Sequence, residues 1–261
     1  LIRTRNDPAS LPPAPRGYTI HRASVAGTLP GLDLPTRRQL QLIPFGVSSV
    51  VNNKTVQTKQ LTKNAEIGAD IKWGVSSTVT LDLTVNTDFA QVEADQEQIN
   101  LTRFALFFPE KRPFFLENAQ TFQFGHAQAI DLFFSRRIGI GANGVPIPII
   151  GGARLSGKVH GYNIGILNMQ TESELDDTTG AALAPTNNFS VLRVVREIGR
   201  SNVGAMFVNR AASGRYALAD DYNRGYGVDA AWQATSNGKL FAFIARTDSP
   251  QAKGGADYAG R

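Results

Sequence analysis

An antiparallel, all-β transmembrane barrel, or a large part of one, with about ten or more strands and one aromatic-rich, proline-flanked insertion, is the fold this sequence predicts. Three observations carry that expectation. First, Ala65, Ile67, Ala69, Ile71, Trp73 and Val75 alternate without a break with Glu66, Gly68, Asp70, Lys72 and Gly74. Successive strand side chains point to opposite faces, so the segment divides an oily environment from an ionic one. Its length of about ten residues suits a strand tilted across a bilayer. Second, the same pattern recurs along the chain. Third, there is no apolar run of about 18 residues, the length that would mark a membrane helix. The mean hydropathy of -0.18 still suits a barrel, because a barrel's lipid face takes only every second residue.

The 261 residues, 42% of them hydrophobic, suffice for one large all-β unit. The absence of cysteine removes disulfide frameworks and thiolate metal sites. A net charge of +5 is spread along the chain without a basic run, which argues against a nucleic-acid surface.

Residues 1–37 contain Pro8, Pro12, Pro13, Pro15, Pro30 and Pro35 and read as an extended lead-in or linker. Leu1 to Gly17 has no apolar segment of the kind found in signal peptides. Strands are expected from residue 38 to 261. The first, Gln39 to Val51, contains Pro44, which marks a strand start or a sheet edge. The alternating segment from Asn64 follows, then a turn at Gly74–Ser77, then Thr78 to Asn86 with Val79, Leu81, Leu83 and Val85 on one face. Ala153 to Val159 turns at His160-Gly161 and returns through Tyr162, Ile164 and Ile166. Phe189 to Ile198 and Val203 to Val208 flank a turn beginning at Gly199. Tyr226, Val228, Ala230 and Trp232 lead to Asn237-Gly238, a strong hairpin signal, and to Lys239–Ala245. Glu172 to Asn187 reads as a long polar connection on the extracellular side. The last residues, Asp257 to Arg261, read as the start of another strand, so a barrel truncated at its C-terminal end is expected.

The oily face supplies the lipid-facing candidates Ile67, Ala69, Ile71, Trp73, Leu81, Leu83, Tyr226 and Trp232, with Tyr162 and Phe207 on the same kind of face. The opposite face, with Glu66, Asp70, Lys72, Arg154 and Lys158, would line a hydrated lumen in a barrel or meet solvent in a sandwich.

Residues 88–125 depart from the ladder. They combine dense aromatics with both charge signs, and Pro109 and Pro113 bracket Glu110-Lys111-Arg112 in a rigid turn. One reading is a hairpin with aromatics at the membrane interface. The other is a segment folded into the lumen as a constriction, with Arg103, Lys111, Arg112, Arg136 and Arg137 paired to Asp88, Glu93, Asp95, Glu110 and Glu117.

Three stretches here carry a family resemblance: LTVNTDFAQVEAD at 83–95, FFPEKRPFFLE at 107–117 and FSRRIG at 134–139. Together with Leu29–Leu32, Leu40–Phe45 and the strands near Ala153–Gly165, the chain resembles the bacterial domain of unknown function 5916 over most of residues 20–211. The resemblance implies an outer-membrane β-barrel, which in that family follows a family-nine-like carbohydrate-binding module. It implies no catalytic chemistry, and any sugar binding by that module transfers to no residue of this chain.

Other chemistry has little support. Asp88, Glu93, Asp95 and Glu97 could offer oxygen ligands to Ca²⁺, or form a solvated turn paired with Arg and Lys. His21, His126 and His160 are too scattered for metal-ligand spacing. Gly139 to Gly144 mimics a dinucleotide glycine pattern without the helix and acidic residue that would support it. No nucleophile elbow is present. The expected function is therefore that of a bacterial outer-membrane barrel acting as a pore, a plugged transporter-like barrel or a membrane anchor. Its partners would be lipid and, further, polysaccharide or another envelope protein, with no cofactor. The alternatives are a soluble β-sandwich binding polysaccharide and a carbohydrate hydrolase, which would need two carboxylates across a sugar site.

Overall fold

The computed structural model describes residues 31, 39–53, 60–86, 109–126, 129–141, 147–175, 180–235, 238–250 and 255–261. The proline-rich lead-in, Gly31 excepted, and the candidate residues Asp88, Glu93, Asp95, Glu97 and Arg103 lie outside them.

The strands are β1 (Leu40–Asn53), β2 (Gln60–Gly74), β3 (Val79–Val85), β4 (Ile149–Val159), β5 (Tyr162–Thr171), β6 (Glu174–Leu175), β7 (Ala182–Ala184), β8 (Thr186–Ile198), β9 (Ser201–Ser213), β10 (Tyr222–Gln233), β11 (Lys239–Asp248) and β12 (Ala256–Gly260). Ten of them form one antiparallel sheet in the order β1-β2-β3-β4-β5-β8-β9-β10-β11-β12, while β6 and β7 pair separately. The all-β, antiparallel expectation of about ten strands therefore holds. The sheet itself is open, because β1 and β12 are its two edges and are not paired with each other.

Local chemistry explains much of this ladder. His160 and Gly161, at φ 48° and 79°, make the two-residue left-handed turn whose twist matches the flanking strands. Pro44 sits within β1, which pairs only with β2 and is thus an edge, where a missing N–H is tolerated. The long connection expected at Glu172–Asn187 instead contains β6 and β7, and β8 starts at Thr186. A two- and a three-residue strand are too short to show an alternation.

Connections differ in length between the two ends of the sheet. At one end the strands are joined by residues 75–78, 160–161, 199–200 and 234–238. At the other they are joined by 54–59, 86–148, 172–185, 214–221 and 249–255.

The longest of these, between β3 and β4, carries a helical turn at Pro113–Leu116 and 3₁₀ turns at Ala119–Phe122 and Ser135–Arg137. The described residues 109–126 and 129–141 of this insert pack on one face of the sheet. Its Phe115, Phe122, Phe124 and Ile138 form a buried cluster with Leu167, Met169, Val191, Met206 and Ala245 from the strands. The sheet is shaped for them: a Cβ on Gly165 would stand 2.9 Å from the Phe122 ring, and one on Gly227 would run into Phe124. Among the described residues no helix is long and apolar enough to cross a membrane.

The opposite face is open and apolar. One register row runs Leu40, Trp73, Leu81, Leu155, Ile166, Leu192, Phe207 and Tyr226 across successive strands. The next runs Val79, Gly157, Ile164, Val194, Ala205, Val228 and Ile244. Several of these side chains are widely exposed, Ile244 at 66% and Val228 at 49%, as are Ile67 at 81% and Trp232 at 60% on the same face. All eight lipid-facing candidates lie on it. Towards the long-connection end the face changes character in one step. Asn168, Ser190, Asn209 and Arg224 form a single polar row, and Asn168 donates to Ser190 at 2.8 Å and Arg224 to Asn209 at 3.2 Å.

Candidate functional site

The insert is held to the sheet by buried ion pairs that also bond its backbone. On β3 and β4, Asp82 and Arg154 are register partners. Arg154 is 2% exposed and donates Nε and Nη2 to Asp82 Oδ2 at 3.1 and 2.6 Å. Its Nη1 donates to the carbonyls of Phe114 and Glu117, and its guanidinium lies over the Phe114 ring. Lys72, beside Asp82 on β2, is bonded to the Glu117 carboxylate.

The second anchor spans three strands. Arg193 on β8 and Asp229 on β10 are separated by β9, yet Nη2 donates to Oδ2 at 2.8 Å and Nη1 donates to Oδ1. Gly204 on β9 makes this possible, because a Cβ there would sit 2.7 Å from Arg193 Nη1. Asp229 Oδ2 also accepts the backbone N–H of Gly125 in the insert at 3.1 Å. Phe124, next to Gly125, packs under the Arg193 guanidinium. Two arginine–aspartate pairs thus join sheet to insert, one through Arg154 and insert carbonyls, the other through Asp229 and an insert N–H.

A third cluster lies within the insert. Arg112, 4% exposed, makes a two-pronged pair with Glu110, Nε to Oε1 at 2.8 Å and Nη2 to Oε2 at 2.7 Å. It donates as well to the carbonyls of Ile138 (2.6 Å) and Ser135 (2.7 Å) and lies over the Phe115 ring. Ser135 Oγ donates to Glu110 at 2.7 Å, and Arg136 to the Pro109 carbonyl at 3.0 Å. The Pro109–Pro113 turn is therefore closed by its own glutamate and tied to the Ser135–Arg137 turn.

Burial pushes the Glu110 carboxyl up, but the hydrogen bonds and charge of Arg112, with the Ser135 hydroxyl, outweigh it and hold the group below its ordinary value. A depressed folded value means stabilisation that is fully present above the unfolded value of about 4.3 and lost as pH falls through the folded one. Glu110→Gln is accordingly expected to loosen the insert at neutral pH and to remove its acid-triggered loosening. A circular-dichroism titration of both proteins between about pH 7 and 2 checks this.

Of the residues singled out in the sequence, Glu110 and Arg112 come together, and Arg136 joins them through a backbone carbonyl. Glu117 turns instead to Lys72 and Arg154. Lys111 and Arg137 are exposed. Asp82, Arg193 and Asp229 were not singled out. Alternation places each on the polar face of its strand, but their pairing depends on the order of strands in the sheet, which spacing along the chain does not encode.

These features define a class: an open antiparallel sheet, apolar on one face, whose other face carries an insert clamped by buried arginine–aspartate pairs. The chain belongs to the family of the domain of unknown function DUF5916, whose model matches residues 35–175, from just before β1 through the insert to β6. No curated protein and no solved structure matches the chain.

Proposed function

We propose that the ten strands are wall strands of an outer-membrane β-barrel and that the insert is its plug, making the protein a gated or plugged pore. The observation that supports this most is the inversion of polarity across the sheet. The insert-covered face buries Asp82, Thr84, Arg154, Ser156, Arg193 and Asp229, while the open face exposes Leu40, Leu42, Ile67, Trp232 and Ile244. A soluble sandwich would place its charges outside and its leucines inside. Exposed apolar rows of this extent suit a lipid surface. The polar row from Asn168 to Arg224 fits the edge of a hydrocarbon layer. The short connections at one end and long ones at the other fit the periplasmic and extracellular sides of such a barrel.

The free edges β1 and β12 carry unpaired backbone groups, which hydrocarbon does not tolerate. This reading therefore requires further strands that close the wall between them. The test is extraction and migration. The protein is expected to need detergent for solubility and to migrate faster in unheated than in boiled gel samples. A chain that stays monodisperse in plain buffer and migrates identically in both samples would overturn the reading and favour the polysaccharide-binding sandwich.

A further inference from the structure

At the short-connection end, a cleft of about 400 Å³ lies between the insert and strands β5 and β8–β11. That volume falls within the range of small-molecule sites, about 300–1,000 Å³. Its walls come from two sources: Gln120, Gln123 and His126 from the insert, and Lys239 and Phe241 from β11, with the Arg193–Asp229 pair also in its lining.

The charges in this lining do not balance. Asp229 is the one carboxylate among its described lining residues, and both of its oxygens are engaged by Arg193, one of them also by the Gly125 N–H. Lys239 has no carboxylate partner among the described residues; its Nζ lies 5.2 Å from the centroid of the Phe241 ring. His126 stands edge-on to the same ring at 5.4 Å. The cleft therefore offers one unneutralised ammonium, the side-chain amides of Gln120, Gln123, Asn163 and Asn202, which can both donate and accept, and an aromatic face.

We propose that this cleft binds a small polyhydroxylated carboxylate. One ammonium matches a single negative charge rather than a phosphate dianion. The Gln120 and Gln123 amides suit hydroxyls, and Phe241 suits the C–H face of a ring. The proposal rests on the reading of the covered face as a lumen and names the solute class that lumen admits.

Binding is measured by titration calorimetry on the purified chain in detergent micelles, with glucuronate as the probe and glucose as its neutral counterpart. Glucuronate is expected to bind more tightly than glucose. Lys239→Gln should weaken glucuronate about fivefold, the scale of an exposed charge pair, and leave glucose unchanged. Arg246→Gln, which removes a cation stacked on Tyr258 on the opposite face of the sheet, should change neither. Equal binding of the two sugars, no binding of glucuronate, or an unaltered Lys239→Gln variant would overturn the proposal. The same preparation is tested for heat-modifiable migration. A chain that migrates as a barrel without binding glucuronate sinks this inference alone. One that binds glucuronate without behaving as a barrel sinks the membrane reading alone.

Discussion

Replacing Asp229 with alanine is expected to destabilise the docked insert by roughly 3–5 kcal/mol, the scale of removing one partner from a buried ion pair. The size follows from what is left behind. Arg193 is 3% exposed and would keep its charge with no carboxylate to face. The Gly125 N–H would lose its acceptor at the same stroke. The loss should be concentrated in the insert, because the ladder hydrogen bonds of β8, β9 and β10 do not pass through the Asp229 side chain. Limited proteolysis in detergent checks this: cleavage within residues 109–141 should appear in Asp229→Ala well before the sheet is attacked. The paired replacement Arg193→Met with Asp229→Leu should be much milder, since it leaves only the Gly125 N–H without its acceptor and no uncompensated buried charge. Gly204→Ala should resemble the single variant in direction, because its Cβ enters the space the guanidinium crosses. If Asp229→Ala and the paired replacement are equally resistant to protease, the ion pair is not what holds the insert.

This anchor also shows where sequence reading stops. The two faces of the sheet were legible, because period-two alternation is a local property: Ile71 and Lys72, or Val228 and Asp229, announce opposite environments from their neighbours alone. The insertion was legible too, since Pro109 and Pro113 cannot donate to a ladder, and the Glu110–Arg112 pair lies within one turn. The cross-strand anchors were not. Asp82 and Arg154 are 72 residues apart and Arg193 and Asp229 are 36 apart, so their meeting depends on which strands are neighbours and on register. Gly204 carries a still less legible role, because the need for a missing side chain appears only when the charged groups on either side of it are known. The open edges at β1 and β12 likewise belong to topology. Nothing in the alternation of a strand states whether its sheet closes.

Val228→Arg is the substitution that separates a lipid surface from a watery one most sharply. Val228 is 49% exposed on the open face, between Ala205 and Ile244 in register. It stands four residues along β10 from Arg224 of the polar row and four from Trp232, so it occupies the middle of the apolar band. If that face meets water, an arginine at a half-exposed strand position should change stability by no more than about 0.5 kcal/mol. If it meets the middle of a bilayer, the cost should be roughly 2–4 kcal/mol, and it should shrink to about 0–1 kcal/mol for an arginine placed near the edge of the hydrocarbon. Ser190→Arg, in the polar row, supplies that comparison at a depth where the native face already carries Arg224. The measurement is the denaturant midpoint after refolding into lipid vesicles, with the same pair of variants repeated in detergent. A depth-dependent penalty in vesicles supports the apolar rows as the lipid contact. Equal tolerance at Val228 and Ser190 would place both in water, and the exposed leucines, isoleucines and tryptophans of that face would then have to be buried by a protein partner instead.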